Sequence, residues 1–183
     1  MDFLKIEKII FEQKNKKCKQ LNSLNSKNDL EISNIFPNPV NISELEKLLN
    51  DKKSELQISA IYILCADSNF DYNKIKDCYQ QAKDDGFQMA RSPSENNIAK
   101  RINENKENCI YVGSSIHFFE RMKNHLEKPK STYSLHLKRW FPHDWKLFIE
   151  VIKVKNESLA IMQIYEDLLW DAYRPLFGRQ GKK

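Results

Sequence analysis

The clearest candidates for chemistry are an arginine and a histidine on one predicted helix. Arg121 and His125 stand four residues apart within a helix predicted over 116–127, so both side chains project from the same face. A guanidinium binds phosphate through two parallel hydrogen bonds, and a neighbouring imidazole donates to the same group or moves a proton. A solvated helix face is the alternative, so the pair indicates a phosphate site only together with other groups.

A carboxylate stands in the apolar helix predicted near the end of the chain. Glu166 has Met162, Leu169 and Trp170 within about one turn, while Asp167 lies on another face. An ionised carboxylate among apolar groups costs free energy unless it is paired or holds a metal ion. The alternative is a glutamate at the edge of an amphipathic helix that reaches solvent.

Predicted strands and helices must position these groups. Two strands each carry a tyrosine, Tyr62 and Tyr111, and each tyrosine alone fits a core residue as well as a site residue. The order of elements predicts an α/β (α+β) fold, with a small, mainly antiparallel, three-stranded central sheet flanked by helices. The predicted strands cover 56–64, 109–113 and 145–154, and the predicted helices cover 71–84, 116–127 and 158–173.

Length and composition define the organisation around this sheet. The 183 residues exceed one average domain, so one domain with an appendage is expected. We assign 1–55 to a helical N-terminal region with a DNA-binding or dimerisation role, and 56–183 to the α/β domain, with a helical hairpin-tip insert at about 67–108. The chain shows no secretory signal and no apolar stretch of about 18 residues, which predicts a cytoplasmic protein without a membrane span.

Cysteine and charge patterns narrow the function classes. The four cysteines form no closely spaced pair, which argues against the usual structural zinc motifs. The chain carries 30 basic and 25 acidic residues, and 13 basic against 7 acidic residues fall within 121–183. A phosphate-binding surface is therefore expected in the C-terminal third, because clustered basic charge attracts phosphate groups.

The ordered combination of these residues resembles the signature of the GIY-YIG nucleases. Arg121 follows Tyr111 by ten residues and His125 follows Arg121 by four, and both steps fit that family. The resemblance extends over 56–183. Its matching residues are Ala60-Ile61-Tyr62, Tyr111-Val112-Gly113, Arg121, His125 and Glu166.

Three features depart from the family pattern. Ala60 replaces the first glycine of the signature, a benign change where the backbone needs no positive φ. Tyr62 and Tyr111 are 49 residues apart where typical members have a short hairpin loop, so the insert at 67–108 would elaborate the hairpin tip. Gly178 replaces the asparagine that usually follows the last helix, which weakens a backbone or phosphate contact.

The resemblance implies a divalent-metal-dependent endonuclease that hydrolyses the phosphodiester bonds of double-stranded DNA. Its catalytic residues would be Tyr62, Tyr111, Arg121, His125 and Glu166, with Glu166 also holding Mg²⁺ or Mn²⁺. Arg121 suits the non-bridging oxygens, and either tyrosine would orient or deprotonate the attacking water. His125 would orient a tyrosine or phosphate, or act as an alternative base, so the proton acceptor stays open at this point.

Further basic residues are expected to contact DNA phosphates. Lys100, Arg101 and Lys106 lie in the polar part of the insert, and Lys138 and Arg139 are the next candidates. The short chain favours a stand-alone restriction-type or mobile-element-type enzyme, and a homodimer is compatible with the sequence.

Two other function classes compete with this hypothesis. The first is a nucleic-acid-binding module on the same fold with weak or lost catalysis, motivated by Gly178 and the long insert. The second is a protein-interaction or regulatory domain in which the tyrosines and Glu166 are structural. Glu166 discriminates the nuclease from the binding module, because a nuclease needs the charge of Glu166 whereas a binding module tolerates glutamine at this position.

Overall fold

Four antiparallel strands form the sheet that positions the candidate site, in the order β1-β4-β2-β3. They are β1 (Leu30–Ser33), β2 (Ala60–Ala66), β3 (Cys109–Ser115) and β4 (Leu147–Val154). The computed structural model describes residue 8 and the ranges 30–33, 35–37, 39–67, 71–87, 104–105, 108–127, 133–155 and 159–178.

Five described helices flank the sheet. They are α1 (Ile42–Asp51), α2 (Tyr72–Asp84), α3 (Phe118–Leu126), α4 (Leu137–Trp140) and α5 (Leu159–Tyr173). Side-chain caps begin two of them, because Asn41 accepts from the Glu44 N–H and Asp71 accepts from two N–H groups of its own first turn. No described helix combines the length and apolar character that a membrane crossing needs.

The two faces of the sheet pack against different helices. Along β2, Tyr62 and Leu64 belong to the core shared with α1 to α4, whereas Ile61 and Ile63 belong to the core shared with α5. This alternation follows from the period of two in a strand. Because both faces are covered, all seven residues of β2 are buried.

The structure confirms the mixed α/β class and the antiparallel sheet flanked by helices, but the prediction of three strands was wrong. A fourth strand, β1, lies within the region 1–55 that we expected to be helical, and it pairs with β4 from Leu30 opposite Val154 to Ser33 opposite Val151. Four residues are too few to show a clear alternation in the sequence, and their strand form depends on the pairing with β4. The division of the chain at residue 55 stays a prediction.

The two tyrosine-bearing strands are neighbours despite their separation in sequence. β2 pairs antiparallel with β3, with Tyr62 opposite Gly113 and Ala60 opposite Ser115. Tyr62 and Tyr111 therefore lie on adjacent antiparallel strands, as a hairpin with the insert at its tip requires. Of the insert predicted at 67–108, the described part contains α2, which packs its Ile75 and Tyr79 into the main core.

The chain returns to β3 after α5. The Leu176 N–H donates to the Cys109 carbonyl at 3.1 Å, and the Phe177 N–H donates to the Ile110 carbonyl at 2.9 Å. These bonds satisfy the first part of an edge strand that would otherwise present free backbone groups. The later part of β3, where Gly113 and Ser114 lie, is the part that the candidate site uses.

Candidate active site

Two tyrosine rings lie together on one face of the sheet over a glycine. The Tyr62 and Tyr111 rings stack with centroids 6.1 Å apart and an interplanar angle of 25°. A Cβ atom on Gly113 would come within 2.5 Å of the Tyr111 ring and 2.7 Å of the Tyr62 hydroxyl. Position 113 therefore has no room for a side chain while both rings keep this arrangement, which gives the glycine of the Tyr111-Val112-Gly113 motif a steric reason.

His125 holds Tyr62, the inner of the two tyrosines, through a buried hydrogen bond. Nδ1 of His125 accepts the Leu135 N–H at 3.2 Å, so the ring proton of the neutral imidazole is on Nε2. Nε2 lies 2.8 Å from the Tyr62 hydroxyl and therefore donates to it. Burial holds the pKa of His125 well below its ordinary value, and the nearby Arg121 and His136 lower it further.

Tyr62 and His125 are both completely buried, at 0% exposure. Burial raises the pKa of Tyr62 well above its ordinary value, and Tyr111 raises it further, against the opposing effect of Arg121. A hydroxyl in this environment keeps its proton at neutral pH. Tyr62 and His125 are therefore arranged to fix the positions of neighbouring side chains rather than to exchange protons with solvent.

Arg121 links Tyr111, the outer of the two tyrosines, to a neighbouring loop. Its Nη2 donates to the Tyr111 hydroxyl at 3.2 Å, and its Nη1 donates to the backbone carbonyl of Tyr133 at 3.3 Å. Arg121 lies one turn before His125 on α3, as the spacing predicted, and its side chain is half-buried rather than enclosed. The guanidinium is thus fixed at two points and remains a permanent positive charge at the surface.

Glu166 reaches the site from the opposite face of the sheet. It lies on α5, and its Oε2 accepts a short hydrogen bond from the Ser114 hydroxyl near the end of β3. Ser114 turns toward the α5 side because it is out of phase with Tyr111 and Gly113 along the strand. Burial raises the pKa of Glu166, while the hydrogen bond from Ser114 lowers it, Asp167 raises it and Arg121 lowers it.

The five predicted catalytic residues come together around the end of β3. Tyr62, Tyr111, Arg121 and His125 form one connected group through ring contacts and hydrogen bonds. Glu166 is near enough for its charge to raise the pKa of Tyr62 and for Arg121 to lower the pKa of Glu166. A cation, a carboxylate and a tyrosine hydroxyl thus lie near the end of β3, and such a set of groups is suited to phosphoryl chemistry.

The structure describes two of the five residues that were predicted to contact DNA. Lys100, Arg101 and Lys106 lie outside the described residues. Lys138 and Arg139 lie on α4 and form ion pairs with acidic groups; Lys138 contacts Glu46 at 2.6 Å and Glu127 at 3.1 Å, and Arg139 contacts Glu127 at 2.7 Å. The carboxylates offset part of the charge that these residues would offer to DNA, and their role stays a prediction.

Sequence reasoning missed two residues that contact the site. Ser114 lies just after the strand predicted at 109–113 and was not among the predicted site residues, yet it binds Glu166. Strand alternation was the available signal, because a serine three positions after Tyr111 must face the opposite side of the sheet. Tyr133, whose carbonyl binds Arg121, gave no signal in the sequence, because its position depends on a loop.

Gly178 contacts the outer tyrosine. Its φ is +96°, and a Cβ atom there would lie 3.0 Å from the Tyr111 ring. Such a φ is rarely adopted by residues with a side chain. The glycine that stands where the family usually has asparagine therefore lets the chain after α5 pass closely over Tyr111.

Comparison with known proteins agrees with this arrangement. Residues 96–180 match the family model described as the GIY-YIG catalytic domain, a range that contains Tyr111, Arg121, His125 and Glu166. The match begins after the first tyrosine strand, which the sheet pairing places beside the second. No curated protein and no solved structure matches the chain. The match over residues 96–180 supports membership of this part of the chain in the GIY-YIG nuclease superfamily.

Proposed function

We propose that the protein is a divalent-metal-dependent endonuclease that hydrolyses phosphodiester bonds of double-stranded DNA, as a restriction-type or mobile-element-type enzyme. The observation that carries the proposal is the contact of Arg121 with the Tyr111 hydroxyl at 3.2 Å, beside the carboxylate of Glu166 on the other side of β3. A fixed cation and a carboxylate that face one region are what in-line attack on a phosphate requires.

The groups near Glu166 fit a cation that keeps most of its own waters. Its carboxylate and the Ser114 hydroxyl are hard oxygen donors, and within the described residues no cluster of three or more His, Cys, Asp or Glu side chains surrounds them. Mg²⁺ and Mn²⁺ suit such a sparse oxygen site, because Mg²⁺ is commonly held by one or two carboxylates. Glu166 would hold the ion, which supplies charge neutralisation and polarisation of the phosphoryl oxygen when bound.

Arg121 and Tyr111 carry the steps assigned to the chain itself. Arg121 binds the non-bridging oxygens of the scissile phosphate, where negative charge grows toward the transition state. Because Arg121 is already held by Tyr111 and by the Tyr133 carbonyl, little reorganisation is needed when DNA binds. Tyr111 uses its hydroxyl to orient the attacking water next to that phosphate.

Tyr62 and His125 act as positioning residues in this proposal. Their complete burial and the directions of their pKa shifts disfavour either as the group that handles the water. His125 donates to Tyr62, and Tyr62 stacks on Tyr111, so the pair fixes the ring whose hydroxyl meets the substrate. Of the alternatives that the sequence left open, Tyr111 is therefore the one we assign to the water.

Supercoiled plasmid DNA tests the proposed function directly. Incubation with Mg²⁺ should give nicked or linear products and incubation with EDTA should give none, as followed by agarose electrophoresis. Asp167→Asn is a matched control for Glu166→Gln, because Asp167 is the next carboxylate on α5 and contacts Gln163 instead of Ser114. Binding of plasmid without cleavage in Mg²⁺ and in Mn²⁺ would favour the binding-module alternative.

A further inference from the structure

An exposed aromatic residue, Tyr133, contributes the backbone carbonyl that binds the guanidinium of the candidate site. Tyr133 is 62% exposed, and its backbone carbonyl accepts the hydrogen bond from Arg121 at 3.3 Å. Most large apolar side chains in the described residues are buried, and only Ile116 and Leu159 share this exposed class with it. A tyrosine ring in solvent presents a large amphipathic face that is available to a binding partner, and its backbone is held by the arginine of the candidate site.

The backbone around Tyr133 is fixed by residues of the site. Arg121 holds the Tyr133 carbonyl, and His125 accepts the Leu135 N–H at 3.2 Å. The Trp140 indole N–H donates to the Leu135 carbonyl, and Ser134 and Leu135 are buried. The ring is therefore exposed while the chain that carries it is anchored, which is a preorganised arrangement.

We propose that the Tyr133 ring is a DNA-positioning element that stacks against a base at the step beside the phosphate held by Arg121. This inference rests on the proposed function, since it requires DNA at Arg121. Aromatic rings bind bases through their faces, and side chains inserted at a base step partly unstack it. A ring carried by the residue whose carbonyl binds a phosphate-binding guanidinium would contact the base of the same nucleotide or of its neighbour.

The side chain of Tyr133 can be changed without removing the contact of its backbone with Arg121. Tyr133→Phe and Tyr133→Leu form the matched pair, since both remove the hydroxyl and only phenylalanine keeps a flat aromatic face. We expect Tyr133→Phe to keep most of the DNA affinity, because it keeps the aromatic face. Tyr133→Leu and Tyr133→Ala should lose on the order of 10-fold to 100-fold in DNA affinity, the range that base stacking gives.

The test uses a duplex with 2-aminopurine beside a cleavage position mapped on plasmid DNA, or at successive positions of a mixed-sequence duplex if the parent does not cut. Binding is measured by anisotropy in EDTA, and unstacking by 2-aminopurine fluorescence. A fluorescence rise with the parent and Tyr133→Phe, and none with Tyr133→Leu, supports the inference. Parent-level affinity and fluorescence with Tyr133→Ala overturn the inference. It is also overturned if sedimentation shows that the variants lose DNA affinity only because their oligomeric state has changed. A parent that binds with the expected fluorescence pattern but never cleaves refutes the nuclease and not the stacking.

Discussion

The two faces of the sheet contribute groups of opposite character to the candidate site. On one face, Tyr62 and His125 are completely buried, neutral and tied to each other at 2.8 Å. On the other, Glu166 is half-buried, charged and held by a single serine hydroxyl. The first face fixes the position of Tyr111 and Arg121, and the second provides a carboxylate that a cation or proton can reach. Changes to Tyr62 and His125 should therefore act mainly on stability, whereas changes to Glu166, Arg121 and Tyr111 should act mainly on catalysis.

The largest expected effect comes from removing the charge of Glu166. Glu166→Gln keeps the size of the side chain and a hydrogen-bonding group for Ser114. Cleavage should nevertheless fall on the order of a thousandfold, because the variant loses the several kcal/mol of charge stabilisation that a bound metal ion supplies. Because burial raises the folded-state pKa of Glu166 above its unfolded value, the ionised carboxylate destabilises the fold at neutral pH. Urea unfolding should therefore show equal or higher stability for the variant. A variant that cleaves at the parent rate in matched Mg²⁺ would remove the proposed metal ligand.

The second effect concerns the cation on the first face. Arg121→Ala should lower the cleavage rate by about 100-fold, because one preorganised donor to the developing charge is lost. Arg121→Lys should recover only part of the rate, since an ammonium cannot hold Tyr111, the Tyr133 carbonyl and a phosphate through one planar fork. Single-turnover cleavage at saturating DNA measures both variants. Full activity of the lysine variant would mean that charge alone, and not the fork, is used.

The two tyrosines should separate stability from catalysis. Tyr62→Phe leaves the buried His125 Nε2–H without its acceptor, which costs about 1–3 kcal/mol of unfolding free energy. Tyr111→Phe removes one acceptor from Arg121, but Arg121 is half-exposed and water can replace that acceptor, so the loss of stability should be smaller. Cleavage should fall about 10-fold to 100-fold, because the hydroxyl that orients the water is lost. Urea titration and single-turnover cleavage on both variants complete the comparison. If Tyr62→Phe loses more activity than Tyr111→Phe at equal stability, the water-handling role moves to Tyr62.

The sequence predicted the elements that local pattern determines. The apolar run of β4 and the helix that carries Glu166 were both found close to their predicted bounds, at Leu147–Val154 and Leu159–Tyr173. Strand β1 was missed because its four residues become a strand only by pairing with β4. The pairing of β2 with β3 was found through the family signature, since the long insert hides any hairpin in the local sequence.

The chemical partners of the site residues were less accessible to sequence reasoning. The spacing of four residues placed Arg121 and His125 on one helix face. It did not predict that the Arg121 side chain is half-buried and the His125 side chain fully buried. That difference arises because Leu135 and Tyr62 close over His125, and both are distant in sequence. Burial, and with it the direction of each pKa shift, is a tertiary property.

The smallest expected effect is a pH shift from the serine that joins the two faces. The Ser114 hydroxyl lowers the pKa of Glu166, so Ser114→Ala should raise that pKa and move the acid limb of the cleavage profile to higher pH. The sign follows because protonated Glu166 has no charge to hold a cation, so activity falls as the pH falls through its pKa. The cost at mildly acidic pH should be on the order of 3-fold to 10-fold, and little should change at alkaline pH. Raising the Mg²⁺ concentration should restore the parent profile, because cation and proton compete for one carboxylate.

Ser115→Ala is the matched control for this pH shift. The Ser115 hydroxyl accepts the His117 N–H at 3.0 Å instead of binding Glu166, so its removal should leave the acid limb in place. Cleavage rates across a pH series at two Mg²⁺ concentrations compare the three proteins. Equal displacement of the limb in both serine variants would attribute the effect to the end of β3 in general. Displacement in Ser114→Ala alone, reversed by Mg²⁺, identifies Glu166 as the group whose protonation limits cleavage and Ser114 as the residue through which the tyrosine-bearing strand adjusts it.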